Sequence, residues 1–237
     1  MNLIKRQLET VKGYLPSLFF TIFIFNIIAL FSMYYIKRAN NTDITTFLHY
    51  GMSENIIALM LAPLCLFCIT SFLQIYENDI IIIRIRNRNK IWYAMVSKTI
   101  IIATLFSFLF EFTLLFYSIL FNLNFNANIW DYWIRGFLLT VGLFAICLAF
   151  LVIRLVVNQT VVAFFIVCVW FMSELHGYNP IRLFIWQTSI QTQEEGNLQL
   201  FTQAFLFLLT LSFIFYSLGL QVIKRKSFIS QSIRGEK

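Results

Sequence analysis

Six apolar runs separated by short polar gaps set the pattern of this chain. Residues 15–36, 55–76, 99–121, 135–153, 156–172 and 200–223 are almost free of charge. A helix rises about 1.5 Å per residue, so about 17–25 apolar residues cross a hydrocarbon core roughly 30 Å thick. The pattern predicts an all-α, polytopic membrane protein with six transmembrane helices in one transmembrane domain over residues 1–237. Pro16 suits the first turn of the first span, where its missing N–H is harmless, and Pro63 predicts a kink in the second. Residues 37–53 read as a polar loop. Residues 122–134 read as a short Asn-rich loop whose Trp130, Tyr132 and Trp133 form an aromatic belt at the membrane surface. Only Arg154 and the pair Asn158–Gln159 interrupt the fourth and fifth runs. A single helix over both is too long for one crossing, so a tight hairpin is expected there. Residues 178–186 are apolar but too short to span and fit a re-entrant or interfacial helix.

The N-terminus has a different period. Ile4, Leu8, Val11 and Leu15 recur at helical spacing, while Lys5, Arg6, Gln7, Glu9 and Lys12 fill the other side. Residues 1–13 therefore read as an amphipathic helix lying in the cytoplasmic interface, with an ordinary basic flank as the simpler alternative. No small-residue cleavage site follows, which argues against a cleaved signal peptide.

Composition strengthens the membrane reading. The chain is 59% hydrophobic and 12% charged, against about 25% charged in ordinary soluble domains. Too few polar residues remain to cover a water-facing surface around one core. The 28 phenylalanines suit helix faces turned to lipid tails.

A net charge of +7 raises the question of nucleic acid. The basic residues sit in the gaps between apolar runs and form no groove-binding domain, so no nucleic-acid partner is expected. Their placement follows topology instead. With six spans, Lys5, Arg6, Lys12, Arg84, Arg86, Arg88, Lys90, Lys98, Arg154, Lys224, Arg225, Lys226, Arg234 and Lys237 share one side, which is 14 of the 18 basic residues. Lys37, Arg38, Arg135 and Arg182 take the other. The positive-inside rule then places both termini in the cytoplasm.

Chemistry-bearing residues are few. Cys65 and Cys68 have CxxC spacing, but all four cysteines lie inside apolar runs. No Cys or His stands near enough in sequence to complete a zinc site, so they read as small hydrophobes and no metal is expected. Glu194–Glu195 lacks the following Arg and the intramembrane histidines of membrane-embedded prenyl-protein proteases. No phosphate-binding loop with its Lys-Ser/Thr occurs, so the chain is not itself a nucleotide hydrolase. Glu111 is the one carboxylate deep inside a predicted span, where a charge costs about 2.5–3.5 kcal/mol on insertion scales. Two arrangements meet that cost. Glu111 lines a substrate path or subunit interface together with the mid-depth Asn26, or it is neutral and hydrogen-bonded to a neighbour such as Asn26 or Thr113.

The densest basic cluster between two runs lies in residues 80–98, around Ile-Arg84-Ile-Arg86-Asn-Arg88-Asn-Lys90-Ile-Trp92. Arg84 and Arg88 stand one helical turn apart, and Ile81, Ile85 and Trp92 occupy a neighbouring face. This segment reads either as a basic loop meeting anionic headgroups or as a short helix across the cytoplasmic mouth that docks into a partner. Taken in order, the features resemble the permease subunit of ABC-2-type transporters, of the small bacterial peptide or bacteriocin exporter or immunity kind. Those permeases have an amphipathic helix before the first span, a coupling helix between spans two and three, a tight turn between spans four and five, and short re-entrant helices before the last span.

The resemblance implies a second permease subunit, identical or paralogous, and separate ATPase subunits that hold ATP and Mg²⁺, with no cofactor on this chain. It makes Arg84, Arg86, Arg88, Lys90 and Trp92 the ATPase-coupling residues. It places the protein in a bacterial plasma membrane and gives it no catalytic residues. A non-transporting accessory or sensor subunit and, further off, a membrane-embedded enzyme are the rival classes. Orientation is open to a direct check: cysteines placed at Asn41, Asn126 and Gln193 should label from outside the cell, while those at Asn89 and Ser230 should not. External labelling at Asn89 would reverse the orientation.

Overall fold

Inside a bilayer every backbone N–H and C=O needs a partner from the chain itself, and the helix supplies one locally. The structure, a computed structural model, describes residues 2–39, 43–73, 88–124, 129–175 and 198–225. Its helices are α1 (Asn2–Arg38), α2 (Ile44–Gly51), α3 (Glu54–Ile56), a π-helical turn (Ile57–Leu61), α4 (Ala62–Leu73), α5 (Arg88–Leu120), α6 (Ile129–Val157), α7 (Thr160–Leu175) and α8 (Leu198–Arg225). Among the described residues five stretches are long and apolar enough to cross a membrane: Pro16–Arg38, Thr46–Ser71, Asn89–Leu120, Trp133–Val157 and Phe201–Arg225. The chain is an all-helical, multi-pass membrane protein.

Helix direction follows from the contacts. Lys37 at the end of α1 lies over the Phe121 ring just past α5, 4.7 Å from its centroid, and Phe25 packs edge-on to Phe106 at 4.9 Å. Hence α1 and α5 run parallel. Phe137 near the start of α6 meets Phe205 near the start of α8 at 5.3 Å. Trp92 at the start of α5 meets Tyr216 late in α8 at 6.2 Å. So α6 and α8 are parallel to each other and antiparallel to α5. Lys90, Lys98, Arg154, Lys224 and Arg225 fall toward the end where α5 begins and α8 finishes, called here the basic end. Lys37, Arg38 and Arg135 fall toward the opposite end.

The core is built around α6. Its span is 72% buried, against 22–50% for the other four, and α5, α7, α8 and α4 all pack on it. Ala145, Ile146, Cys147, Leu148, Ala149, Phe150 and Leu151 form a continuous buried stretch on every side of the helix, as expected of a helix ringed by others. The outer faces of α1, α5, α7 and α8 expose Phe19, Phe23, Phe108, Phe112, Phe165 and Phe213. An apolar surface of this extent suits lipid rather than water.

Two helix ends are fixed by asparagine in the left-handed region, a conformation Asn tolerates better than most non-glycine residues. Asn122 (φ 50°) closes α5. Its N–H bonds the Ile119 carbonyl at 3.1 Å and the Leu123 N–H bonds that of Ser118 at 3.0 Å, the paired bonds of a Schellman cap. Asn158 (φ 61°) closes α6 with one bond to the Arg154 carbonyl at 2.9 Å. The break therefore comes at 158–159, as the Asn–Gln pair implied, and Arg154 stays inside the helix, buried.

Several expectations change. The predicted loop 37–53 contains α2, whose Ile44, Phe47 and Leu48 are buried on α1 and α5. The second apolar path thus begins near Thr46 rather than at residue 55, and the Met52–Ser53 interruption breaks it. The distortion expected at Pro63 is a π-helical turn just before it. Proline has no N–H to give and its ring crowds the carbonyl four residues back, so the helix widens ahead of it. Pro16 lies inside α1, not in its first turn. No break separates the predicted interfacial helix 1–13 from the first span.

The predicted fifth span, 156–172, is the 16-residue helix Thr160–Leu175, too short by itself to meet the length of a full crossing. The predicted re-entrant helix 178–186 lies outside the described residues.

A buried Phe→Ala change costs about 3–5 kcal/mol in water. In lipid the transfer part largely vanishes and the packing part remains. Phe150→Ala in α6 should therefore lose roughly half that cost and lower the melting temperature in detergent by several degrees. Phe165→Ala on the lipid face of α7 should leave it nearly unchanged.

Candidate functional site

Glu111 sits on the face of α5 that meets α6 and is 7% exposed. A Cβ at Gly136 of α6 would land on the Glu111 carboxyl. The missing side chain of Gly136 is what admits an acidic group into this helix–helix seam. One turn further along α6, Thr140 donates its hydroxyl to the Gly136 carbonyl at 3.0 Å. One turn earlier on α5, Ser107 is fully buried, and its hydroxyl has no hydrogen-bond partner among the described residues. The buried hydroxyls of Thr21, Ser32, Thr99, Ser118 and Ser212 instead donate to carbonyls of their own helices, the usual way a span satisfies a hydroxyl.

Asn26 is half-buried on α1. Its amide donates to the Ile22 carbonyl at 2.7 Å, and its side-chain oxygen accepts from the Tyr117 hydroxyl at 2.9 Å. Thr113 donates to the Leu109 carbonyl. A hydrogen bond from α5 to α1 at this depth thus joins Tyr117 to Asn26, and no local sequence pattern marks Tyr117. Beside it Phe25 packs between Phe106 and Phe110, at 4.9 and 5.0 Å.

Glu111 has company that the sequence concealed. With the second path beginning at Thr46, Glu54 falls inside it. Glu174 near the end of α7 and Arg154 near the end of α6 are both buried.

The basic segment is divided. Arg84 and Arg86 lie outside the described residues. Arg88 is the first residue of α5, and Lys90 is exposed one position beyond Asn89. Residues 88–98 were expected in a basic loop or a short helix ahead of the third span, but they form the first turns of α5 itself, unbroken into the span.

Trp92 was expected to face a partner. Among the described residues it is the largest fully buried side chain. Its six-membered ring fills the place that a Cβ at Gly219 of α8 would take, and it tilts against Tyr216 at 6.2 Å. Tyr216 in turn stacks on Tyr93 at 6.4 Å. Gly219 leaves room for the indole against α8. In this arrangement the Trp92 ring faces α8 and has no exposed surface.

Cys65 and Cys68 do not act as a pair. Cys65 Sγ lies 3.6 Å from Cys147 Sγ across α4 and α6, and Cys68 meets the Thr21 hydroxyl at 3.4 Å. All four thiols are free. Among the described residues no group of three or more His, Cys, Asp and Glu is placed to hold a metal ion. An apolar groove of about 310 Å³ opens between Phe20, Ile24 and Ile27 of α1 and Leu59, Met60 and Pro63 of the second path.

The chain matches no protein-family model, no curated protein and no solved structure.

The seam between α5 and α6 makes a mutational prediction. Gly136→Ala forces a methyl into the Glu111 carboxyl, an overpacking that costs about 1–3 kcal/mol. Glu111→Gln keeps the shape and should melt close to wild type. Glu111→Ala should relieve the Gly136→Ala defect when the two are combined, as read by thermal unfolding in detergent.

Proposed function

We propose that the chain is the permease subunit of an ABC-2-type transporter, exporting a peptide or another amphipathic molecule or giving immunity to one. Hydrolysis of ATP with Mg²⁺ takes place on a separate ATPase subunit, and a second permease subunit completes the transporter in a bacterial plasma membrane. The observation that carries this reading is α5. Its 33 residues run unbroken from the basic Arg88 to Leu120, which is about 50 Å of helix against roughly 30 Å of hydrocarbon. Such a rod joins a basic, partner-facing start to Glu111 inside the membrane. A displacement at its exposed end moves the α5–α6 seam directly.

The direction of the helices supports six crossings. Because α6 and α8 run the same way, the chain must return to the opposite end between residues 157 and 198. Helix α7 lies within that interval and packs on α6, α4 and the π-helical turn. An even number of crossings puts both termini on one side, and the bias of basic residues makes that side the cytoplasm.

In this reading Arg84, Arg86, Arg88 and Lys90 make charge-assisted contacts with acidic rims of the ATPase. Trp92 acts from inside the fold, holding α5 in place. Glu111 and Asn26 tie α5 to its neighbours at the depth where the substrate path opens.

Affinity purification in mild detergent tests the proposal. The chain should bring down a soluble ATPase, and substrate should stimulate hydrolysis in the reconstituted complex. Combined Arg84→Ala and Arg88→Ala should weaken the partner at least tenfold. Lys90→Ala alone, an exposed charge worth about 0–1 kcal/mol, should do little. A chain that purifies with no ATP-hydrolysing partner and transports nothing contradicts the reading.

A further inference from the structure

We propose that Trp92 and Gly219 form a mechanical joint through which the basic start of α5 drives α8 as well as α6. This rests on the permease reading and adds a second moving helix to it. Trp92 stands one turn beyond Arg88, within the first turns of α5. Its ring lies where Gly219 has no side chain, and Lys224 and Arg225 follow within two turns on α8. The basic ends of the two helices thus meet where the Trp92 ring enters the notch at Gly219.

Shape holds the joint, not hydrogen bonding. Among the described residues the buried indole N–H of Trp92 has no acceptor, although a buried Trp N–H usually finds one. The contact is a knob in a notch, and packed contacts of this kind shift between discrete arrangements instead of deforming smoothly. The stacked pair of Tyr93 and Tyr216 extends the contact by one residue on each helix.

Helix α8 is otherwise the least enclosed of the five long spans, 22% buried. The two ends of its contact with α5 and α6 are marked by Trp92 and by Phe137 against Phe205. Helix α8 packs chiefly along α6, and at the basic end its contact with α5 is Trp92 in the notch at Gly219. Trp92 is therefore a positioning residue for coupling and makes no contact with nucleotide or substrate.

The test uses three variants of the full chain: Trp92→Phe, Gly219→Ala and the two combined. Phenylalanine keeps most of the packing, gives up no hydrogen bond and leaves space for a methyl at residue 219. The first readout is the melting temperature of the permease alone. The second, in vesicles with the ATPase, is partner binding measured separately from substrate-stimulated hydrolysis. Gly219→Ala should lower the melting temperature and cut stimulation about tenfold, the scale of a core overpacking, while partner binding stays within twofold. The combined variant should recover both.

A purely structural role would lower binding and stimulation together. That result overturns the proposal, as does a Gly219→Ala chain that is stimulated normally or a combined variant that recovers neither property. If the wild-type chain binds no ATPase, the permease reading has failed. The joint is then upheld by recovery of the melting temperature in the combined variant and refuted by its absence.

Discussion

Side-chain volume at helix crossings is the constraint on which this structure depends. Helices in lipid gain little from hiding apolar surface, since lipid tails are as apolar as leucine. What holds them together is close packing and a few internal hydrogen bonds. Here large groups are received where a neighbouring helix has no side chain. The Glu111 carboxyl lies over Gly136, Trp92 lies over Gly219, and a Cβ at Gly51 would press on Leu114. All three large partners belong to α5. That helix is consequently keyed to α2, α6 and α8 at three depths, while the Asn26–Tyr117 hydrogen bond fastens it to α1.

This keying explains how an acidic residue is tolerated inside a span. A carboxyl facing lipid carries the full insertion cost, whereas one enclosed in a helix seam faces protein dipoles. Gly136 provides the enclosure, and the Thr140 hydroxyl helps define the backbone around it. The fully buried Ser107, one turn away, makes the same seam locally polar.

Much of the architecture was legible because span length and charge are set by bilayer thickness, a constraint independent of tertiary detail. The all-helical class and the first, third, fourth and last runs came from that constraint. The break at 158–159 was readable because Asn and Gln interrupt an apolar run, and Asn takes the left-handed cap. The helix ahead of the second run was missed because Asp43, Thr45, Thr46 and His49 look polar, although Ile44, Phe47 and Leu48 between them are buried at helical spacing.

Trp92 illustrates the opposite limit. A tryptophan beside arginines looks interfacial, and only the remote Gly219 reveals that it points into the fold. The same holds for Gly136 and Glu111. Such contacts join residues far apart in sequence and leave no local periodicity. Tyr117 was missed for the same reason, since its partner Asn26 is 91 residues away.

The central claim is that α5 is one rigid helix from the basic end into the membrane interior. Spin labels placed singly at each position from 88 to 120, with accessibility to oxygen and to a water-soluble relaxant measured at each, test it most directly. The account predicts one unbroken helical period, with positions 92, 96, 99, 103, 107, 111, 114 and 118 shielded from both reagents. A change of phase or loss of period between 90 and 99, with those positions open to water on all sides, would contradict it.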